Sequence, residues 1–432
     1  MAATEKRKDI DDPRKASVIS SRAIGNLSSK MPRIPNHTNH HKNGFPRSST
    51  IDLSKSDNFL LRDELIAICK AAINDELVTK HFSTPENQSG DPALLESLAR
   101  LFNMYFNPCV PVKPSHIASA PGAAGCLDAL LHTICEPGDG VLIPGPYWNE
   151  FDIGTRSRAI VQPIMVSVAG FCDTYRGFLK SLANAMDTAP CPVKALILTN
   201  LHSPFGQCYP QEVLEGCLKF CQERRIHFIS DEVYALTAFS CAEISDPVQF
   251  VPAMSLDTRA LGCDLSRVHT VWSMSKDFGA SGFRVGCTVS QANKELINGL
   301  TIAPNTQISS LSTIFATALL SSPRLPFLIS LNSARLAESY MLITSFFVRH
   351  GIKYIPVNAG LNIFARLAPW ARTWEDEDEM VRKIRDVGIT VCAGGNYHRM
   401  PKEKGWARLS FSVGHEVLLE ALQRIELALE LG

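Results

Sequence analysis

The chain has 432 residues, 45% of them hydrophobic and 20% charged, which is enough to bury the cores of two domains. Its 43 Lys plus Arg balance 43 Asp plus Glu, which excludes the basic excess of a nucleic-acid or anionic-membrane binder. No apolar run nears the roughly 20 residues that span a bilayer. The polar stretch MAATEKRKDIDDPRK lacks the apolar core of a secretory signal, and thirteen Cys without a CxxC pair read as reduced thiols of a cytoplasmic protein, with neither a disulfide framework nor a zinc site.

Residues 1–48 are rich in Ser, Asn, Lys, Arg, Pro and His and read as a mobile arm; His37, His40 and His41 fit chance occurrence in a polar tail better than a metal site. Helical spacing follows in LLRDELIAICKAAIN (60–74) and PALLESLARLFNMYF (92–106). Short apolar runs then predict strands at DGVLIPGP (139–146), AIVQPIMVSV (159–168), VKALILTN (193–200) and RIHFISDEV (225–233). Between them PQEVLEGCLKFCQERR (210–225) reads as a helix with Cys217 and Cys221 on one face. Such alternation predicts an α/β fold with a mostly parallel central sheet, its ligand groups at the carboxyl ends of the strands. A helix over about 327–350 leads into a second α/β portion, 352–432, with strands KYIPV, LNIFARL, ITVCAG and WARLSFS. The expected organisation is an arm (1–48), a segment packing with the small domain (49–84), a large domain (85–326), and a linking helix with a smaller carboxyl-terminal domain (327–432).

Five segments carry candidate chemistry. In SMSKDFGASGFRVG (273–286), Lys276 among small residues, with Ser273 and Arg284 nearby, suits an amine beside a phosphate; a solvated surface lysine is the alternative. In ISDEVY (229–234), Asp231 directly follows an apolar strand and suits pairing with a protonated ring nitrogen, with Tyr234 bonding a phenolic oxygen; a helix N-cap is the alternative. APGAAGCLDALL (120–131) places Ala123 and Ala124 where a helix opens, a natural phosphate seat. Trp148 in PGPYWNEF stacks on a flat ring or fills a core. Arg408, in the apolar alternation of GWARLSFS, needs an anion: a substrate carboxylate or a buried acid.

In this order the segments resemble fold-type-I pyridoxal 5'-phosphate (PLP) enzymes of the class I/II aminotransferase superfamily, most of all the 1-aminocyclopropane-1-carboxylate (ACC) synthase-like branch. SMSKDFGASGFRVG matches that branch's Ser-x-Ser-Lys-Asp-x-Gly-x-x-Gly-Phe-Arg-Val-Gly segment, SDEVY matches its Ser-Asp-Glu-x-Tyr, and the likeness runs over about residues 50–430. The resemblance implies that Lys276 carries PLP covalently and acts as acid and base, and that Asp231 keeps the pyridine nitrogen protonated. It implies that Tyr234 bonds the ring oxygen, Trp148 stacks on the ring, and Ala123, Ala124, Ser273 and Arg284 hold the phosphate. Arg408 would bind the α-carboxylate, and Asp57 and Asn58 of KSDNFL would sit at the substrate entrance. Two positions depart. NLHSPFG (200–206) has Ser203 where the family's Asn contacts the phenolic oxygen. No Tyr lies between Asn74 and Met104, where the partner subunit of these homodimers usually contributes one; Thr84 or Gln88 stands near that place.

Three reactions share removal of the α-proton: transamination, ACC formation and loss of a β-thiolate. ACC synthase-like enzymes of fungal gliotoxin-type pathways resemble this chain and act as C–S lyases. The preferred expectation is therefore β-elimination from a cysteine S-conjugate, giving thiol, pyruvate and ammonia in sulfur-containing secondary metabolism. A non-enzymatic binding protein on the same fold is the other class. Retention of Lys276, Asp231, Tyr234, Arg284 and Arg408 argues against it.

Overall fold

The strand runs are rich in Val, Ile and Leu, and their side chains alternate between two buried faces. In a computed structural model describing residues 20, 23–26, 50–83, 89–167, 176–302, 307–397 and 403–431, they build three sheets. The strands are β1 (Ile51–Asp52), β2 (Ile117–Pro121), β3 (Gly140–Pro144), β4 (Gln162–Val166), β5 (Val193–Thr199), β6 (His227–Asp231), β7 (Val268–Ser273), β8 (Val285–Val289), β9 (Tyr354–Ile355), β10 (Asn362–Arg366), β11 (Ile389–Thr390), β12 (Cys392–Ala393) and β13 (Trp406–Ser410). The arm's His37, His40 and His41, as well as Thr84 and Gln88, lie outside the described residues.

The main sheet has the order β2-β8-β7-β6-β5-β3-β4, parallel except for β8, which is antiparallel to both neighbours. In β5, Ala195 and Ile197 enter the core beneath helix Gly122–Ile134, while Leu196 and Leu198 enter the core beneath helix Gln211–Arg224. A period of two thus covers both faces of the sheet with helices, as a mostly parallel sheet requires. The registers Thr199↔Asp231 and Asp231↔Val271 bring the carboxyl ends of β5, β6 and β7 side by side.

The smaller sheet, β12-β13-β10-β9, is antiparallel and packs with helices Leu325–Arg349 and His415–Ala428. The single strand expected over ITVCAG is two: β11 pairs in parallel with β1, and β12 pairs with β13, so the chain changes sheets at Val391. The segment expected to pack whole with the small domain also divides. Leu53 joins the carboxyl-terminal core, whereas Leu61, just before the next helix, Arg62–Glu76, and Leu65 within it join the large domain's core. Leu201, Val233 and Tyr234 of the large domain share a core with the small sheet, so the two parts meet beside the main sheet's carboxyl edge. Among the described residues no single helix is long and apolar enough to cross a membrane.

Candidate active site

At that edge lies a cavity of about 330 Å³, walled by the ends of β5, β6 and β7, the start of helix Gly122–Ile134 and the strap Ser54–Asp57. Asp57, Ala123, Ala124, Trp148, Ser203, Asp231, Tyr234, Ser273, Lys276, Arg284 and Arg408 all line it.

β6 ends on Asp231, and residues 233–236 turn without starting a helix, so the side chain is no N-cap. Its Oδ1 is buried without a hydrogen-bond partner among the described residues. Burial pushes its carboxyl up to about 7, against the pull of the Val233 N–H and of Lys276. A buried acceptor in this state is completed by a cationic N–H donor, which a protonated pyridine provides.

The phosphate end is built from backbone. Helix Gly122–Ile134 begins at the cavity, and its first N–H groups and dipole favour an anion there. Gly122 sits at φ +73°, and β8 approaches so closely that a Cβ on Gly286 would fall 2.6 Å from the Gly122 carbonyl carbon. Arg284 donates to Ser281 O at 2.9 Å and to Pro121 O at 3.0 Å, holding its guanidinium beside the helix start. Ser273 caps the short helix Met274–Asp277, and one turn along Lys276 Nζ donates to Ser56 O at 2.5 Å. Lys276 is therefore no free surface lysine. Asp277 Oδ2 accepts from Trp272 Nε1 at 2.7 Å and its Oδ1 from Leu236 N at 3.0 Å, which pins the turn that carries Lys276.

Arg408 projects from β13 and is buried, and no carboxylate among the described residues pairs with it. It donates to Ser54 O, its Nε is unpartnered, and its guanidinium carbon lies 5.4 Å from the centre of the Tyr397 ring. Trp148 is 46% exposed at the cavity lip, edge-on to Phe151, and so is not a core tryptophan.

Asn58 differs from its expected place at the substrate entrance. It is 1% exposed and off the cavity wall, donating to Asn332 Oδ1 at 2.8 Å and to the Lys276 carbonyl at 3.3 Å. Its amide braces the lysine turn from behind. Asp57 does reach the cavity, where it accepts from Ser281 Oγ at 2.7 Å. Sequence reasoning missed Thr199, Ser54, Lys55, Ser56 and Phe151 on the wall. Thr199 was within reach, since it lies near the end of the strand expected over 193–200 and pairs in register with Asp231.

The sequence profile described as Aminotransferase class I and II matches residues 48–425. The chain belongs to this family. Its sequence is 46% identical over 412 residues to the probable aminotransferase aclI of Aspergillus oryzae, covering 95% of this chain and 98% of that one. It is 29% identical over 351 residues to 1-aminocyclopropane-1-carboxylate synthase 6 of Arabidopsis thaliana, covering 79% and 68%. Among solved structures it is similar to a single mutant of Thermus thermophilus aspartate aminotransferase, with TM-score 0.72, 18% identity and coverage of 99% and 100%. Membership implies PLP as the cofactor and an aminotransferase-type enzyme. The unpartnered Asp231 oxygen, the glycine-lined helix start with Arg284, and Lys276 fit that group.

Proposed function

We propose that the enzyme cleaves the C–S bond of a cysteine S-conjugate by β-elimination, within sulfur-containing secondary metabolism, and works as a homodimer. The observation that carries this reading is the set of short side chains, Ser54, Ser56, Thr199 and Ser203, on the wall shared with Lys276 and Arg408. With Ser203 in place of the family's Asn, the wall leaves room beyond the substrate's Cβ for a bulky thiol. The resemblance of the motifs to ACC synthase-like enzymes of fungal gliotoxin-type pathways supports the same choice, and dimers are usual for this fold.

Arg408 holds the α-carboxylate through its free N–H groups, an interaction worth roughly 1.5–3 kcal/mol. The Lys276 amine, one turn from the Ser273 cap, takes the α-proton. Bound PLP supplies an electron sink for the pair of electrons left on Cα. The Cβ–S bond then breaks with its electron pair on sulfur, so the thiolate leaves and picks up a proton. The remaining 2-aminoacrylate takes up one water to give pyruvate and ammonium.

Incubation of the holoenzyme with S-substituted cysteines, without any 2-oxo acid, tests this. Thiol, pyruvate and ammonia are expected in equal amounts. Keto acid that forms only when an amino-group acceptor is added, without thiol, establishes transamination instead; ACC from S-adenosylmethionine establishes the synthase reaction. A fully active monomer by light scattering overturns the homodimer.

A further inference from the structure

We propose that Lys55 selects substrates carrying a second anionic group beyond the sulfur; this rests on the C–S lyase reading and adds a substrate class to it. Among the described residues four cations line the cavity, Lys55, Lys276, Arg284 and Arg408, against two carboxylates, Asp57 and Asp231. Five of these six groups are already engaged in the site. Arg284 belongs to the phosphate seat, Arg408 to the α-carboxylate, Asp231 to the ring nitrogen and Lys276 to the α-proton, and Asp57 accepts from Ser281 Oγ. Lys55 is the cation left over.

Its place on the strap is fixed from both sides. The Ser54 carbonyl accepts from Arg408 Nη2, and the Ser56 carbonyl accepts from Lys276 Nζ at 2.5 Å. The backbone of Lys55 is therefore held between the carboxylate anchor and the base, and the residue lines the cavity. Among the described residues its ammonium meets only Asp52 Oδ2 at 3.3 Å, in a contact three residues apart where the lysine side chain is 70% exposed. Asp52 is meanwhile engaged by the strap itself, accepting from Ser54 N at 2.9 Å and Ser54 Oγ at 2.6 Å. Such an exposed pair holds a lysine weakly, and the flexible four-carbon stem lets the ammonium turn to an anion at the mouth. A substrate with an uncharged S-substituent leaves this charge facing water. One with a carboxylate on that substituent meets it.

The test compares S-(2-carboxyethyl)-L-cysteine with S-propyl-L-cysteine on the PLP-loaded enzyme, reading dissociation constants from the absorbance change of the bound cofactor and, separately, thiol release. Wild type is expected to bind the carboxylated probe at least fivefold more tightly. Lys55→Met removes that preference and leaves S-propyl-L-cysteine binding unchanged, and Lys55→Arg restores it. Equal affinities in wild type, or an equal loss for both probes in Lys55→Met, overturns the inference. Binding needs no bond cleavage, so absence of thiol with the binding preference intact sinks the lyase reading alone. Thiol release without any preference sinks only the role of Lys55.

Discussion

Arg408 is held by the Ser54 carbonyl and by a ring, and the chemistry of that support bears on binding. A carboxylate partner would fix the guanidinium but would also occupy the N–H groups that a substrate needs. The Tyr397 face attracts the cation without accepting those bonds. Tyr397 itself is 3% exposed and held by its hydroxyl, 3.6 Å from Cys392 Sγ. Replacing the ring by Leu should let the guanidinium swing. Tyr397→Leu is expected to raise KM for the amino-acid substrate at least roughly fivefold, equivalent to about 1 kcal/mol, with kcat and the bound-cofactor absorbance little changed. Tyr397→Phe keeps the ring and should stay close to wild type. A fall in kcat with KM unaltered, or equal effects of Leu and Phe, would refute the positioning role.

At the scale of elements, the phosphate seat depends on how closely β8 lies against the start of helix Gly122–Ile134. Gly286→Ala places a methyl 2.6 Å from the Gly122 carbonyl carbon, a backbone atom that moves only with the helix. The variant is expected to fold, because β8 keeps its ladders to β2 and β7, yet to bind PLP at least roughly tenfold more weakly, a cost of about 1.4 kcal/mol. Fluorescence titration of the apoprotein with PLP measures this; unaltered affinity would show that the close approach does not shape the seat. The same strand shows where sequence reading stops. The runs behind β3, β5 and β6 are long and apolar, so period and composition expose them. Strands β2, β7 and β8 do not stand out: IASAP and VGCTV are made largely of small residues, and β7 and β8 flank a motif whose Lys and Gly dominate the eye. Of the cavity residues, Lys276, Asp231, Arg284 and Arg408 were legible because each has chemistry that a core has no use for. Asn58 misled because an amide is equally at home bracing a backbone turn or facing a substrate, and only its contacts to Asn332 and the Lys276 carbonyl separate the two.

Across the whole molecule, the parallel strands put ligand chemistry at one end of the main sheet and leave a different set of titrating groups at the other. His227 begins β6 and His269 lies near the start of β7, with the rings stacked and Nδ1 of His227 2.9 Å from Nε2 of His269, whose Nδ1 in turn meets Ser290 Oγ at 3.0 Å. Burial pushes His227 down to about 4, with Arg267 adding to it, and His269 down to about 3, with His227 adding to it. Both rings are thus neutral in the folded protein at a pH where the unfolded chain, near its ordinary 6.5, already takes up protons. Their contribution is intact above about pH 6.5 and is lost as pH falls through the interval down to the folded values, by roughly 2 kcal/mol per histidine at about pH 5. At the opposite end, in the chain without PLP, Asp231 and Glu232 are each raised to about 7 by burial and favour the folded state as pH falls through the same interval. The two ends oppose each other, so the wild-type curve alone cannot assign the acid limb; a difference between variants can. His269→Asn removes one buried base far from the cavity and leaves the carboxylates in place. Its stability deficit against wild type, measured by urea unfolding of the PLP-loaded enzyme, is expected to shrink by about 2 kcal/mol between about pH 7.5 and pH 5. A deficit that stays constant over that range would mean that His269 titrates alike in the folded and unfolded chains, and that its burial does not govern acid stability.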